Sequence, residues 1–195
     1  MSTTATNTRT RIIETTAILL SLQGFNATGL NQIIRESTTP KGSLYFHFPG
    51  GKEELAAAAL LAAGAETQGK IQTALQTSDR AGDAIAAFVL VLAEELQASD
   101  FCRGCPIATV AMETSATSDR LRQVCEQIYR SWFTPVQQKL IDSGLTTAES
   151  RAWTTLTWAS IEGALLLSRT HRNLEPLETI ATQLQTLLNQ NPKIQ

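Results

Sequence analysis

The 195-residue chain is 43% apolar and 17% charged, a balance that suits a globular protein with a sizeable core. It has room for one domain or two, since typical domains run about 100–150 residues, and it contains no run of about 18 uncharged apolar residues that would form a transmembrane helix. The net charge of −2 is unevenly spread: residues 1–52 hold five basic and two acidic side chains, net +3, while residues 53–195 hold 11 basic and 16 acidic ones, net −5. Moving the cut past Glu53 and Glu54 lowers the first figure to +1, so the asymmetry is modest. Its sense is an end that attracts a polyanion and a body that repels one.

In chain order, residues 1–10 have no apolar core and are expected to be a flexible threonine-rich arm over 1–8, not a secretory signal. Three cysteines, an odd number, without a signal peptide, point to a reducing cytoplasm. Arg9 to Gln23 reads as the first helix, with Ile13, Thr16, Ala17 and Leu20 on one face and Gly24 as its C-terminal cap. Thr28 is a good N-cap for a second helix, on which Leu30, Ile33, Ile34 and Ser37 take the i, i+3, i+4, i+7 spacing of a buried face. Ser37, Thr38 and Thr39 break that pattern. Pro40 suits the first position of a third helix, about Pro40 to His47, because its missing N–H would have no intrahelical partner there. This helix buries little beyond Leu44 and turns Lys41, Ser43, Tyr45 and His47 to solvent. A short polar helix held against a better-packed one is what a helix-turn-helix places in a major groove.

The remainder reads as helical throughout, with no convincing strand and no internal repeat. Leu55, Ala58, Ala59 and Ala62 begin a long alanine-rich helix, and Ile85, Phe88, Val89, Leu92 and Leu96 define the next. Cys105-Pro106 starts another, carrying Ile107, Val110 and Ala111. Leu121, Val124, Cys125, Ile128 and Trp132 line a helix that Pro135 is expected to kink or end. Gly144 punctuates, and Thr146 with Glu149 has capping-box spacing. Trp153, Leu156, Ser160, Gly163 and Leu167 form a stripe on the following helix, and Leu177, Ile180, Ala181, Leu184 and Leu188 one on the last. The expectation is an all-α chain with a three-helix helix-turn-helix domain at 1–52 and a larger helical domain at 53–195.

The run Lys41-Gly42-Ser43-Leu44-Tyr45-Phe46-His47-Phe48, with Gly24-Phe25 and Thr28 before it and Lys52-Glu53-Glu54-Leu55 after it, resembles the DNA-binding signature of the TetR family of bacterial transcriptional repressors. Pro40 to Tyr45 with Phe48-Pro49-Gly50-Gly51-Lys52 is similar, more narrowly, to the LmrA/YxaF-type subgroup, as are Cys105-Pro106-Ile107-Ala108, Trp132 and Glu162 to Leu167 in the body. The resemblance implies a homodimer that binds a palindromic double-stranded operator and whose body senses a small-molecule effector, with the last two helices forming a four-helix bundle with their mates. Thr38 departs from the family, which usually has a turn glycine there; a β-branched residue resists φ > 0, so this turn is expected to be strained or differently shaped. Phe46 stands where the family commonly has His, and no contact is carried over to that position.

Chemistry assigns roles within that frame. Lys41 can reach a phosphate or a guanine edge, and Ser43 is short enough for close base approach. Pro40 and Gly42 bring the backbone near the bases, while Thr28, Thr39, Tyr45 and His47 flank the helix and suit phosphates. Lys52 starts the fourth helix, where free N–H groups favour a phosphate. Arg9 and Arg11 are candidates for an added arm contact. Phe88, Phe101, Met112, Trp132, Trp153 and Trp158 either line an effector cavity or fill the core, with Phe88, Met112, Trp132 and Trp158 the candidates for effector contact. Glu162, a carboxylate among apolar neighbours, is costly unless paired and is expected to bond an effector, a partner subunit or Arg169. Cys102 and Cys105 have redox or metal spacing, yet a zinc site needs about four ligands, and two ordinary loop cysteines are the plainer reading. Cys125 belongs to the core. No catalytic constellation and no cofactor motif is present. The reading is therefore a cytoplasmic, effector-responsive repressor, with a thiol-responsive regulator using Cys102 and Cys105, or an activator with the same head, as alternatives.

Overall fold

The computed structural model describes residues 3–191 with Lys193 and Ile194, and side chains from residue 8 onward. The described residues form nine α-helices and no strand: α1 Thr3–Ala27, α2 Leu30–Glu36, α3 Lys41–His47, α4 Gly51–Leu75, α5 Ala81–Ala98, α6 Pro106–Thr114, α7 Asp119–Asp142, α8 Thr147–His171 and α9 Glu175–Asn189. The expected all-helical architecture is what the chain adopts. Helix α1 starts at Thr3, inside the segment 1–8 expected as an arm; Met1 and Ser2 lie outside the described residues. Among the described residues no helix is long and apolar enough to cross a membrane.

The helices gather into two compact units, one of residues 1–65 with 105–128, the other of residues 66–104 with 129–195. The first unit takes in the whole of 1–52 together with the first turns of α4 and a segment distant in sequence. Its core holds Ile12, Leu20, Ile33, Leu44, Phe48, Leu55, Leu60, Ile107 and Leu121, all buried. Here α1 packs against α2, α3 and, most extensively, α6.

In the second unit α5 lies along α9, and α8 packs on both. The approach of α5 to α9 is close because Gly82 has no side chain: a Cβ there would sit 2.7 Å from the Gln185 carbonyl. One residue on, the Asp83 carboxylate accepts from Gln185 at 3.0 Å and Asn189 at 2.5 Å, which ties the start of α5 to α9. Those two donors, with Ser78 and the nearby Arg80, hold Asp83 below the usual carboxylate range. Helix α8 opens with the expected capping box, Thr146 and Glu149 bonding each other's backbone N–H. Helix α7 continues through Pro135 to Asp142, so that proline does not end it.

Candidate functional site

The helix-turn-helix is shaped by short-range bonds and by one brace from α1. Gly24 (φ 77°, ψ −175°) interrupts α1, and the chain resumes one more turn before α2. Thr28, expected as the N-cap of α2, is 1% exposed and donates its hydroxyl to the Gly24 carbonyl at 2.6 Å. The bend offers that hydroxyl an acceptor, so extended Gly29 takes the N-cap position instead. Helix α2 ends in a Schellman pattern: Thr38 N–H bonds the Arg35 carbonyl and Thr39 N–H the Ile34 carbonyl, each at 3.2 Å. Thr38 occupies the position that favours glycine, at φ 49°. Its carbonyl accepts from the Arg11 guanidinium at 3.0 Å. Arg11 thus braces the turn from α1 instead of extending as an arm. Thr39, expected among the DNA contacts, is buried with its hydroxyl 2.7 Å from that of Ser37. Thr28 and Thr39 are thus both buried within the motif and do not line its open surface.

Pro40 (φ −60°, ψ 139°) stands one residue before the expected place, as the N-cap of α3, and its carbonyl receives the Ser43 N–H at 2.9 Å. Only Leu44 of α3 is buried, followed by Phe48. Lys41, Gly42, Tyr45 and Phe46 are exposed, and Ser43 and His47 are half-buried. The His47 ring stands edge-on to Phe46 at 5.1 Å. Arg9 lies 5.4 Å over the Phe48 ring.

Lys52 does lie in the first turn of α4, but its ammonium folds back, 4.3 Å over the Phe25 ring and 3.4 Å from the Asn26 carbonyl. Burial lowers its pKa, and the charge of Glu113 works in the opposite direction. Glu113 itself comes from α6 and accepts the Asn26 N–H at 2.8 Å. Neither Glu113 nor Phe25 was marked as a site residue by the sequence, where only spacing within one helix is visible.

In the second unit, Phe88, Trp132 and Trp158 are buried together. Trp158 stacks on Trp132 at 5.2 Å and on Phe133 at 5.7 Å, and meets Phe88 at 5.8 Å. Tyr129 stands edge-on to Trp132 and donates its hydroxyl to Glu162 at 3.0 Å, a partner the sequence did not suggest. The Trp158 Nε1–H and the hydroxyls of Thr154 and Thr157 are buried with no hydrogen-bond partner among the described residues. Met112, expected beside these rings, belongs to the other unit and is 76% exposed, because α6 buries the face of Ile107, Val110 and Thr114.

The α8 stripe read from the sequence is also corrected. Helix α8 buries Ser150, Thr154, Thr157, Trp158, Ile161, Ala164, Leu165 and Ser168. Leu156 and Leu167 of the expected stripe are about half exposed, and half-buried Gly163 between them has open space where a side chain would stand. Leu166 and, on α9, Leu187 are exposed as well.

Cys102 is exposed. Cys105 caps α6, its thiol accepting the Ala108 N–H at 3.5 Å. Cys125 is buried as expected, its thiol pushed up to about 11 by burial.

Residues 12–59 match the family described as bacterial regulatory proteins, tetR family, and residues 81–183 match the LmrA/YxaF-like transcriptional regulator C-terminal domain. The chain is 38% identical over 182 residues to the uncharacterized HTH-type transcriptional regulator YxaF of Bacillus subtilis, covering 93% of this chain and 95% of that one. Against the HTH-type transcriptional regulator LmrA of the same organism it is 37% identical over 182 residues, covering 93% and 97%. A TetR transcriptional regulator from Chloroflexus aurantiacus, known by crystal structure, superposes with a TM-score of 0.81 at 26% identity, covering 98% of this chain and 99% of that one. The chain belongs to the TetR family of helix-turn-helix transcriptional regulators, in the group with an LmrA/YxaF-like C-terminal domain.

Proposed function

We propose that this protein is a cytoplasmic repressor that binds a near-palindromic operator as a homodimer and is released by a small, largely apolar, aromatic effector. The family is one of DNA-binding transcriptional regulators and not of enzymes. The observation that carries the reading is α3 itself, a helix anchored by Leu44 alone that turns Lys41, Gly42 and Tyr45 outward, with Ser43 and His47 at its margins. Lys41 reads a guanine edge or phosphate, Gly42 and Ser43 let the backbone approach the bases, and Tyr45 and His47 take phosphates. Pro40 sets the entry of the helix, and Thr28 and Thr39 fix its angle from beneath. Lys52 swings from Asn26 to a phosphate at the start of α4.

One small head presents too little surface for useful specificity, so two heads reading half-sites about one helical turn apart, or a multiple of it, are required. The exposed leucines of α8, which also carries Gly163, and Leu187 of α9 supply the dimer surface; Leu184 and Leu188, expected from the sequence to add apolar area to it, are buried within the protomer. The effector lies among Phe88, Trp132 and Trp158, oriented by Glu162.

Selection of tight binders from random duplexes tests the reading. The expected result is an enriched two-fold symmetric site bound by a species that sediments as a dimer. Lys41→Ala should weaken binding by about 1–3 kcal/mol for each base edge that the lysine reads. Recovery of no enriched site at moderate salt, or tight binding of a half-site by a monomer, overturns it.

A further inference from the structure

Phe46 is 79% exposed, a greater fraction than any other large apolar side chain among the described residues. It lies in the last turn of α3, two residues from the single buried anchor, Leu44. Two residues turn a helix by about 200°, so Phe46 projects almost directly away from the protein. A side chain on a helix leans toward the N-terminus and covers the turn before its own Cα. One turn before Phe46 is Gly42, beyond whose backbone there is open space. The ring therefore lies along the outermost line of the helix, and Gly42 leaves open space at the preceding turn. His47, edge-on at 5.1 Å, supports it from the other side.

A phenyl ring has no donor or acceptor with which to distinguish most base edges. The apolar feature that a base pair presents in the major groove is the C5 methyl of thymine. We propose that Phe46 is a specificity-determining residue that reads a thymine methyl in each half-site of the operator. The inference rests on the proposed entry of α3 into the major groove. Lys41 and Ser43 then read polar edges, while Phe46 discriminates thymine from cytosine by apolar contact alone. Water released from the exposed ring supplies the affinity of that contact.

The test uses the full-length protein and the duplex recovered by selection. Each thymine is replaced in turn by deoxyuridine, which removes the methyl and leaves base pairing intact. Burial of one methyl-sized group sets the expectation: on the order of fourfold weaker binding at one thymine in each half-site, and roughly fifteenfold with both replaced. Phe46→Ala, a solvent-exposed substitution whose folding is checked by its thermal transition, should bind thymine and deoxyuridine duplexes equally. Phe46→Leu, which keeps an apolar surface, should retain part of the discrimination. The proposal is overturned if no replacement affects the wild type, if the selected half-site lacks thymine, or if Phe46→Ala keeps the wild-type preference for thymine. Each of these outcomes leaves operator binding intact, whereas failure to select any site defeats the underlying reading instead.

Discussion

Thr38 shows how a single residue departs from the glycine its position favours and is still accommodated. A left-handed conformation costs an L-residue roughly 1–2 kcal/mol, and at φ 49° Thr38 bears that cost with a β-branched side chain. Arg11, 27 residues earlier, bonds its carbonyl and so holds the turn from outside the motif. Thr38→Gly should relieve the strain, offset by roughly 0.5–1 kcal/mol for the greater flexibility of glycine in the unfolded chain. The net expectation is a stabilisation of up to about 1.5 kcal/mol, read as a higher urea midpoint at unchanged slope; a lower midpoint would show that the Thr38 hydroxyl bond to the Ser37 carbonyl outweighs the strain. The conflict at Thr38 was legible because a turn was legible. Its remedy was not, because Arg11 resembles any basic residue of an amphipathic helix until the fold brings it to the turn. Thr28 was misread for a related reason: both Thr28 and Gly29 are competent N-caps, and only the bend at Gly24 decides between them.

At the level of elements, α1 and α6 meet where the Asn26 N–H donates to the Glu113 carboxylate, which lies against Gly24. The backbone at Gly24 (φ 77°, ψ −175°) lies in a region essentially reserved for glycine. A Cβ there would also strike the Glu113 carboxylate. Gly24→Ala should therefore destabilise the protein by at least about 1–3 kcal/mol. Because the carboxylate can be removed, the two contributions separate: Gly24→Ala in a Glu113→Ala background keeps the backbone cost and loses the clash. Chemical denaturation of the four proteins measures this, and full rescue by Glu113→Ala would disprove the conformational part. The bend was readable from the sequence as a helix-ending glycine; its partner on α6, far along the chain, was not. Helical stripes were readable in proportion to their contrast. On α9 the expected Leu177, Ala181, Leu184 and Leu188 are buried. On α8 apolar residues occupy more than one face, and periodicity alone did not distinguish the face turned to the core from the one left open.

For the whole molecule, the proposed function requires that an effector in the body change the affinity of the head. Helices α4 and α7 each contribute residues to both compact units, so two continuous helices carry the chain from one to the other. Helix α4 begins at Gly51 and Lys52, beside the Asn26 carbonyl and within the field of Glu113, and ends at Leu75. A shift of α4 along or about its axis would thus move Lys52, the lysine proposed to take a phosphate. An effector can impose that shift only by its preference for one conformation over the other. A coupling of about 1–3 kcal/mol would lower operator affinity roughly 5- to 150-fold, and operator must then lower effector affinity by the same factor. Both halves are measurable on one protein. Trp132 and Trp158, stacked on each other in the body, report effector binding through their fluorescence. Titration with planar aromatic compounds should give a weaker apparent affinity in the presence of operator, by the same factor that the compound weakens operator binding. The unpartnered Trp158 Nε1–H and the hydroxyls of Thr154 and Thr157 suit compounds that carry a hydrogen-bond acceptor. A compound that binds equally with and without operator is not an inducer, whatever its affinity, because without a preference between conformations it cannot move the equilibrium.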